Sequence, residues 1–92
     1  MIKPNDAFVL GNNQHGAFTV KLKNISDHDL QLWQVPIDGG QHSPLVVKPS
    51  KKTKVKVDSN TALRIENNNT TSASVELVVT GDLGLSMGYK NQ

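Results

Sequence analysis

Two stretches of similar pattern, 45 residues apart, decide the fold: Ala17-Phe-Thr-Val-Lys-Leu-Lys-Asn24-Ile-Ser26 leading to Leu30-Gln-Leu32, and Ala62-Leu-Arg-Ile-Glu-Asn-Asn-Asn69-Thr-Thr71 leading to Val75-Glu-Leu77. In each stretch apolar and polar residues alternate, an Asn-x-Ser/Thr turn follows, and a second alternating run begins. Alternation with a period of two is typical of a strand with one buried face, and a turn between two such runs predicts a β-hairpin. The sequence therefore predicts two equivalent antiparallel hairpins.

The similarity of the two stretches has two explanations. Shared hairpin geometry explains the similarity of the two stretches about as well as gene duplication does, because only four positions are identical. These are Ala17/Ala62, Asn24/Asn69, Leu32/Leu77 and Gly39/Gly84.

The rest of the chain continues the strand pattern. Strands are predicted at 6–10, 17–23, 29–35, 44–48, 53–58, 61–66, 73–80 and 84–90, and clusters rich in Gly, Pro, Asn, Asp and Ser separate them. Strands at this spacing are typical of sandwiches and barrels, and no segment has a helical period. The prediction is one all-β domain over residues 1–92, an antiparallel sandwich of seven to eight strands, immunoglobulin-like in architecture.

The parity of the apolar residues predicts which strand faces are buried. Polar residues such as Lys21, Lys54 and Glu76 fall between the apolar ones, so each strand is expected to have one solvent-exposed face, as in two antiparallel sheets packed face to face. The predicted core residues are Phe18, Val20, Leu22, Leu30, Leu32, Val55, Val57, Leu63, Ile65, Val75, Leu77 and Val79.

The last predicted strand depends on its turn. A two-residue turn at Gly81-Asp82 pairs Leu85 with Val78 and leaves an exposed apolar row, whereas a three-residue loop ending at Gly84 pairs Met87 with Val79 in the core. We favour the three-residue loop because it unites the apolar side chains.

Size and composition argue against several classes of protein and of functional site. A chain of 92 residues with no cysteine has no disulfide framework and little room for a deep active site. No apolar run is long enough for a membrane helix, and the first residues, Met1-Ile-Lys-Pro-Asn, lack the apolar core of a signal peptide. The net charge of +2 is too small to indicate nucleic-acid binding.

No catalytic or metal-binding set is predicted. The run from Gly84 to Gly88 around Ser86 matches the G-x-S-x-G pattern of hydrolases, but that motif needs a strand-to-helix turn with an acid and a histidine after it, and four residues follow Gly88. His15, His28 and His42 lie in three separate predicted loops, so they are expected to be solvated rather than metal ligands. We expect no enzyme activity and no cofactor.

Trp33 is the first candidate partner residue. It lies with Val35 and Ile37 on the parity opposite Leu30 and Leu32, which gives that strand two apolar faces. Trp33 is then either a core residue of a central strand or an aromatic anchor for a sugar or protein contact.

Lysines form the second candidate surface. Half of the basic residues lie within nine positions, with Val55 and Val57 pointing the other way. The two interpretations are an edge strand that lysines protect from aggregation and a patch for an acidic protein surface, lipid headgroups or nucleic acid. The absence of interleaved aromatics argues against single-stranded nucleic acid. The lysines are Lys48, Lys51, Lys52, Lys54 and Lys56.

The Asn-x-Ser turns, the corner at Pro49-Ser50, the cysteine-free core and the alternating strands resemble those of immunoglobulin-like modules, including the small decoration or auxiliary proteins of tailed-phage capsids. The resemblance implies a non-enzymatic accessory subunit that binds a larger protein assembly, with a virion surface as the favoured location over an extracellular or cytoplasmic one. The alternative is a carbohydrate-binding or adhesin module.

Overall fold

The chain forms eight strands in two sheets. The structure, a computed structural model, describes residues 2–11, 13–36, 44–81, 84–85 and 87–89. The strands are β1 (Asp6–Leu10), β2 (Phe18–Asn24), β3 (Leu30–Pro36), β4 (Leu45–Val47), β5 (Lys52–Val57), β6 (Thr61–Asn67), β7 (Val75–Gly81) and β8 (Met87–Tyr89). The described residues contain no helix, and hence none that is long and apolar enough to cross a membrane.

The two sheets pack as a sandwich, which confirms the predicted fold class. One sheet has five strands in the order β4-β3-β6-β1-β8 and the other has three in the order β5-β2-β7, and the neighbouring strands pair antiparallel in both. One contiguous core fills the space between them. Of the predicted core residues, those of β2, β3, β5 and β6 are buried, while Val75, Leu77 and Val79 of β7 are half-buried against it.

The two predicted hairpins are wrong, because each turn carries the chain from one sheet to the other. β2 pairs with β5 and β7, whereas β3 pairs with β4 and β6, so β2 and β3 never share a ladder. β6 and β7 are separated in the same way. In a hairpin the two strands satisfy each other's backbone groups, whereas here a buried asparagine at the end of the first strand supplies hydrogen bonds to the turn.

Asn24 closes the first of these arches. Its side-chain Nδ2 donates to the carbonyls of His28 and Val47 at 2.8 and 2.9 Å. Its Oδ1 accepts from the backbone N–H of Ser26 at 2.9 Å and from the Ser26 hydroxyl. The side chain is fully buried, so these bonds replace water for a polar group that would otherwise be costly to bury.

Asn67 closes the second arch with the same geometry. Its Nδ2 donates to the carbonyl of Thr71, four residues on, and to those of Ile2 and Lys3, while its Oδ1 accepts from the N–H of Asn69, two residues on. Asn24 makes the same bonds to residues four and two positions on. The structural repeat is therefore 43 residues long, Asn24 to Asn67, and the 45-residue pairing of Asn24 with Asn69 is wrong by two.

The arches interlock. β2, which enters the first arch, pairs with β7, which leaves the second, and β6 pairs with β3 in the reciprocal way. A direct bond joins the two turns, because Nε2 of His28 lies 3.0 Å from Oδ1 of Asn67, an acceptor, and must donate to it. His28 thus connects the arches instead of facing solvent as predicted.

The last strand is also placed differently from both predicted registers. β8 pairs with β1 in the wider sheet, with Met87 opposite Leu10, and not with β7. The chain leaves β7 at Gly81 with a φ of 101°, a conformation that L side chains rarely adopt. A Cβ there would lie 2.9 Å from the carbonyl oxygen of Ala17, so both the backbone conformation and the space require glycine.

The strand order agrees in part with that of an immunoglobulin constant domain. That domain also pairs its second strand with its fifth and its third with its sixth. The outer positions differ, because here β7 lies beside β2 and β1 lies beside β6.

Asn67→Ala should lower the free energy of unfolding by roughly 1–3 kcal/mol, because the substitution leaves buried carbonyls without a donor. Urea denaturation measures the change. Asn68→Ala, in the same arch, removes only a 3.3 Å bond to Gln31 on an exposed residue and should cost less than about 0.5 kcal/mol. Equal losses in the two variants would contradict the role given to Asn67.

Candidate functional site

The outer face of the three-stranded sheet is the most charged surface described. Along β2 and β5 every second side chain points away from the core, and most of those side chains are lysines. The strands alternate strictly because the intervening residues, such as Val20 and Val55, fill the core. We name this surface the lysine face, formed by Lys21, Lys23, Lys52, Lys54 and Lys56.

The register places like charges directly opposite one another. Lys21 faces Lys54, and Lys23 faces Lys52. The N–H of Asn24 donates to the carbonyl of Lys51, so even-numbered residues of β2 bond to β5 and the odd-numbered ones do not. The lysine pairs therefore occupy non-hydrogen-bonded positions, where facing Cα atoms approach to about 4.5 Å and facing like charges are destabilising.

Little on this face compensates the charge. Across β2, Glu76 of β7 lies opposite Lys23, but none of the five lysines forms an ion pair within the part of the chain that the structure describes. Five lysines against Glu76 and the exposed Asp58, which lines the surface beside Lys56 and Thr80, give the face a local balance of +3. The whole chain carries +2, so all remaining residues together carry −1. The charge is segregated onto one side of the molecule.

The face carries an open groove. The groove has a volume of about 420 Å³ and is lined by residues of β2, β5 and β7. Val78, 58% exposed, lies in that groove beside Lys21. Such a surface suits contact with another large surface better than enclosure of a small molecule.

The structure separates the lysines that the sequence grouped. Lys52, Lys54 and Lys56 lie on the lysine face, on a strand that is an edge of its sheet. Lys48 and Lys51 are exposed in the turn before β5. Lys21 and Lys23 were missed as site residues. They approach β5 only because β2 pairs with a strand about 30 residues later in the sequence, and local patterning does not reveal such a pairing.

Trp33 lies outside the space between the sheets. It is half-buried on the outer face of the five-stranded sheet, on the parity predicted, opposite Arg64 of β6. The Arg64 guanidinium carbon is 5.7 Å from the centre of the indole ring, a cation–π distance, and Arg64 also forms an ion pair with Glu66. The indole Nε1–H is buried and has no hydrogen-bond partner among the described residues.

The other candidate residues are dispersed. Val35 is half-buried two residues after Trp33 and lies opposite the buried Ala62, while Ile37 and Ser86 are outside the described residues. His15 is buried, with Nδ1 and Nε2 at 2.6 and 2.9 Å from the carbonyls of Gly16 and Thr61, and so differs from the solvated residue predicted.

Metal-binding groups do not converge in the part of the fold that is described. No group of three or more His, Asp or Glu side chains capable of holding a metal ion occurs among the described residues. His42 lies outside them.

Comparison with known proteins adds no functional information: no family model, no curated protein and no solved structure matches this chain.

Lys54→Gln should raise the free energy of unfolding at low ionic strength by about 0.2–1 kcal/mol, because it removes the repulsion from Lys21. The gain should shrink in 1 M NaCl, where the Debye length is about 3 Å. Chemical denaturation at the two salt concentrations measures it.

Lys56→Gln is the matched control. Lys56 lies on the same strand and face but opposite Thr19, so its substitution should change stability less. If both variants respond alike to salt, the facing pair has no special energetic role.

Proposed function

We propose that this protein is a non-enzymatic accessory subunit that docks through the lysine face onto an acidic surface of a larger protein assembly. A virion is the assembly that the sequence resemblance favours, and the chain would then act as a decoration or auxiliary protein on its surface.

The observation that carries the proposal is the pair of facing lysine couples, Lys21 with Lys54 and Lys23 with Lys52. Like charges on facing strand positions reduce the stability of the isolated sheet. An acidic partner would neutralise both couples at once, and association would recover the electrostatic free energy that the free subunit lacks. The groove between the couples and Val78 would admit apolar contact alongside the charges.

The composition of the lysine face favours a protein partner over nucleic acid. No aromatic side chain lies among the lysines on these described strands, so bases would find no stacking platform. The side chains that β7 adds to this face are Glu76, Val78 and Thr80, and a phosphate backbone would gain nothing from an acidic or an apolar neighbour. Charged, polar and apolar groups side by side are typical of a protein–protein interface.

The carbohydrate-binding alternative depends on Trp33. A sugar stacks on an open indole face, but Arg64 lies over the Trp33 ring, so sugar binding there would first have to displace the guanidinium. Among the described residues the arrangement around Trp33 therefore supports this function less than the lysine face supports docking.

A labelled ten-residue polyglutamate peptide tests the proposal by fluorescence anisotropy. The unaltered protein should bind it measurably in about 50 mM salt and lose affinity as salt rises, since exposed charges are screened. The double variant Lys21→Gln/Lys54→Gln should weaken binding about tenfold or more, as expected when close charge pairs are removed.

Two controls sharpen this experiment. Lys48→Gln/Lys51→Gln removes the same net charge from exposed residues outside the lysine face and should weaken binding only a few-fold. Tighter binding of a DNA duplex than of the acidic peptide, or equal losses in both double variants, would refute docking of acidic protein through this face.

A further inference from the structure

Among the residues that the structure describes, one edge of β7 pairs with no strand, and this edge differs from the other sheet edges. β4 and β8, the edges of the wider sheet, have three residues each. β5 carries three lysines, and Gln34 from the other sheet donates to its Lys56 carbonyl at 3.3 Å. β7 has seven residues, one charge and no proline. Short length and lysines are the devices that protect edges, and β7 has neither.

The direction of the free backbone groups on β7 follows from its ladder with β2. The N–H of Ile25 donates to the carbonyl of Ser74 at 3.1 Å, which makes them a hydrogen-bonded pair. The even-numbered residues of β7 therefore bond to β2. The odd-numbered residues, Val75, Leu77, Val79 and Gly81, direct their N–H and C=O groups to the open edge.

We infer that this edge pairs with the β7 edge of a second copy of the chain. Two β7 strands aligned antiparallel about Val78 overlap over all seven residues. Leu77 then faces the second copy's Val79, Val75 faces its Gly81, and the outward groups of both strands make up to eight hydrogen bonds. The inference does not depend on the acidic partner proposed above.

The side chains of β7 are self-complementary in this register. Val78 meets Val78 at the symmetry axis in a non-hydrogen-bonded pair, where side chains are closest, and it is 58% exposed in the single chain. Glu76 faces Thr80, so no like charges meet. The two β2 strands are separated by three strand spacings, about 14 Å, which exceeds the physiological Debye length of about 8 Å and screens the lysines of the two copies from each other.

The pairing would produce one six-stranded sheet. Because the two-fold axis is normal to the sheet, both lysine faces point to the same side. The interface is closed, because the β7 edge of each copy pairs with the same edge of the other copy.

Sedimentation equilibrium on the full chain, run from low micromolar to high micromolar concentration, tests this inference. The apparent mass of the unaltered protein should rise from 10.0 kDa towards twice that value. Val78→Lys places two ammonium groups together on the axis and should weaken dimerisation about tenfold or more.

Thr80→Lys is the matched control, because it adds the same side chain to the same exposed face of the same strand but places it opposite Glu76 of the second copy. It should keep the dimer within a few-fold of the unaltered affinity. Circular dichroism melts confirm that both variants are folded. A mass of 10.0 kDa at every concentration, growth beyond a dimer, or equal weakening by the two lysines would overturn the inference.

Discussion

Two buried asparagine side chains hold two of the crossings between the sheets, from β2 to β3 and from β6 to β7, and the pairing of the four strands at these crossings depends on them. Asn24 and Asn67 satisfy the turn backbone where a hairpin would use its partner strand. Each strand that enters an arch is thereby free to pair with a strand of the other arch. The bond from His28 to Asn67 fixes the two crossings against each other. Polar groups in the core thus specify the topology, while apolar burial supplies the driving force.

This topology also creates the lysine face. The first arch sends β3 to the opposite sheet and leaves β2 between β5 and β7. That placement brings two lysines of β2 against the lysine-rich edge strand. The unfavourable facing charges are therefore a consequence of the strand order, and their neutralisation is the source of binding free energy in the proposed docking.

The sequence predicted the local features of this fold and missed the long-range ones. Alternation located all eight strands within a few residues and assigned the core faces of β2, β3, β5, β6 and β7, because side-chain parity is a local property. The favoured register of the last strand, which placed Met87 in the core, is wrong, since Met87 is 61% exposed. It did not predict which strands pair, since a turn between alternating runs fits a hairpin and an arch equally well. Asn67, the second of the two arch asparagines, was hidden in a run of three, and its burial and side-chain hydrogen bonds distinguish it from Asn68 and Asn69.

The candidate surfaces also divide into features that local patterning predicted and features that depend on long-range strand pairing. The lysines of β5 were evident from their spacing, whereas Lys21 and Lys23 join them through tertiary pairing. The parity of Trp33 was predicted correctly, but its packing beneath Arg64 depends on the β3–β6 register, which local patterning does not supply.

Backbone NMR shift mapping during titration with a polyglutamate peptide tests most directly the central claim, that the lysine face binds an acidic partner. Shifts concentrated on β2, β5 and β7 are the predicted result, and shifts centred on Trp33 and Arg64 would contradict it.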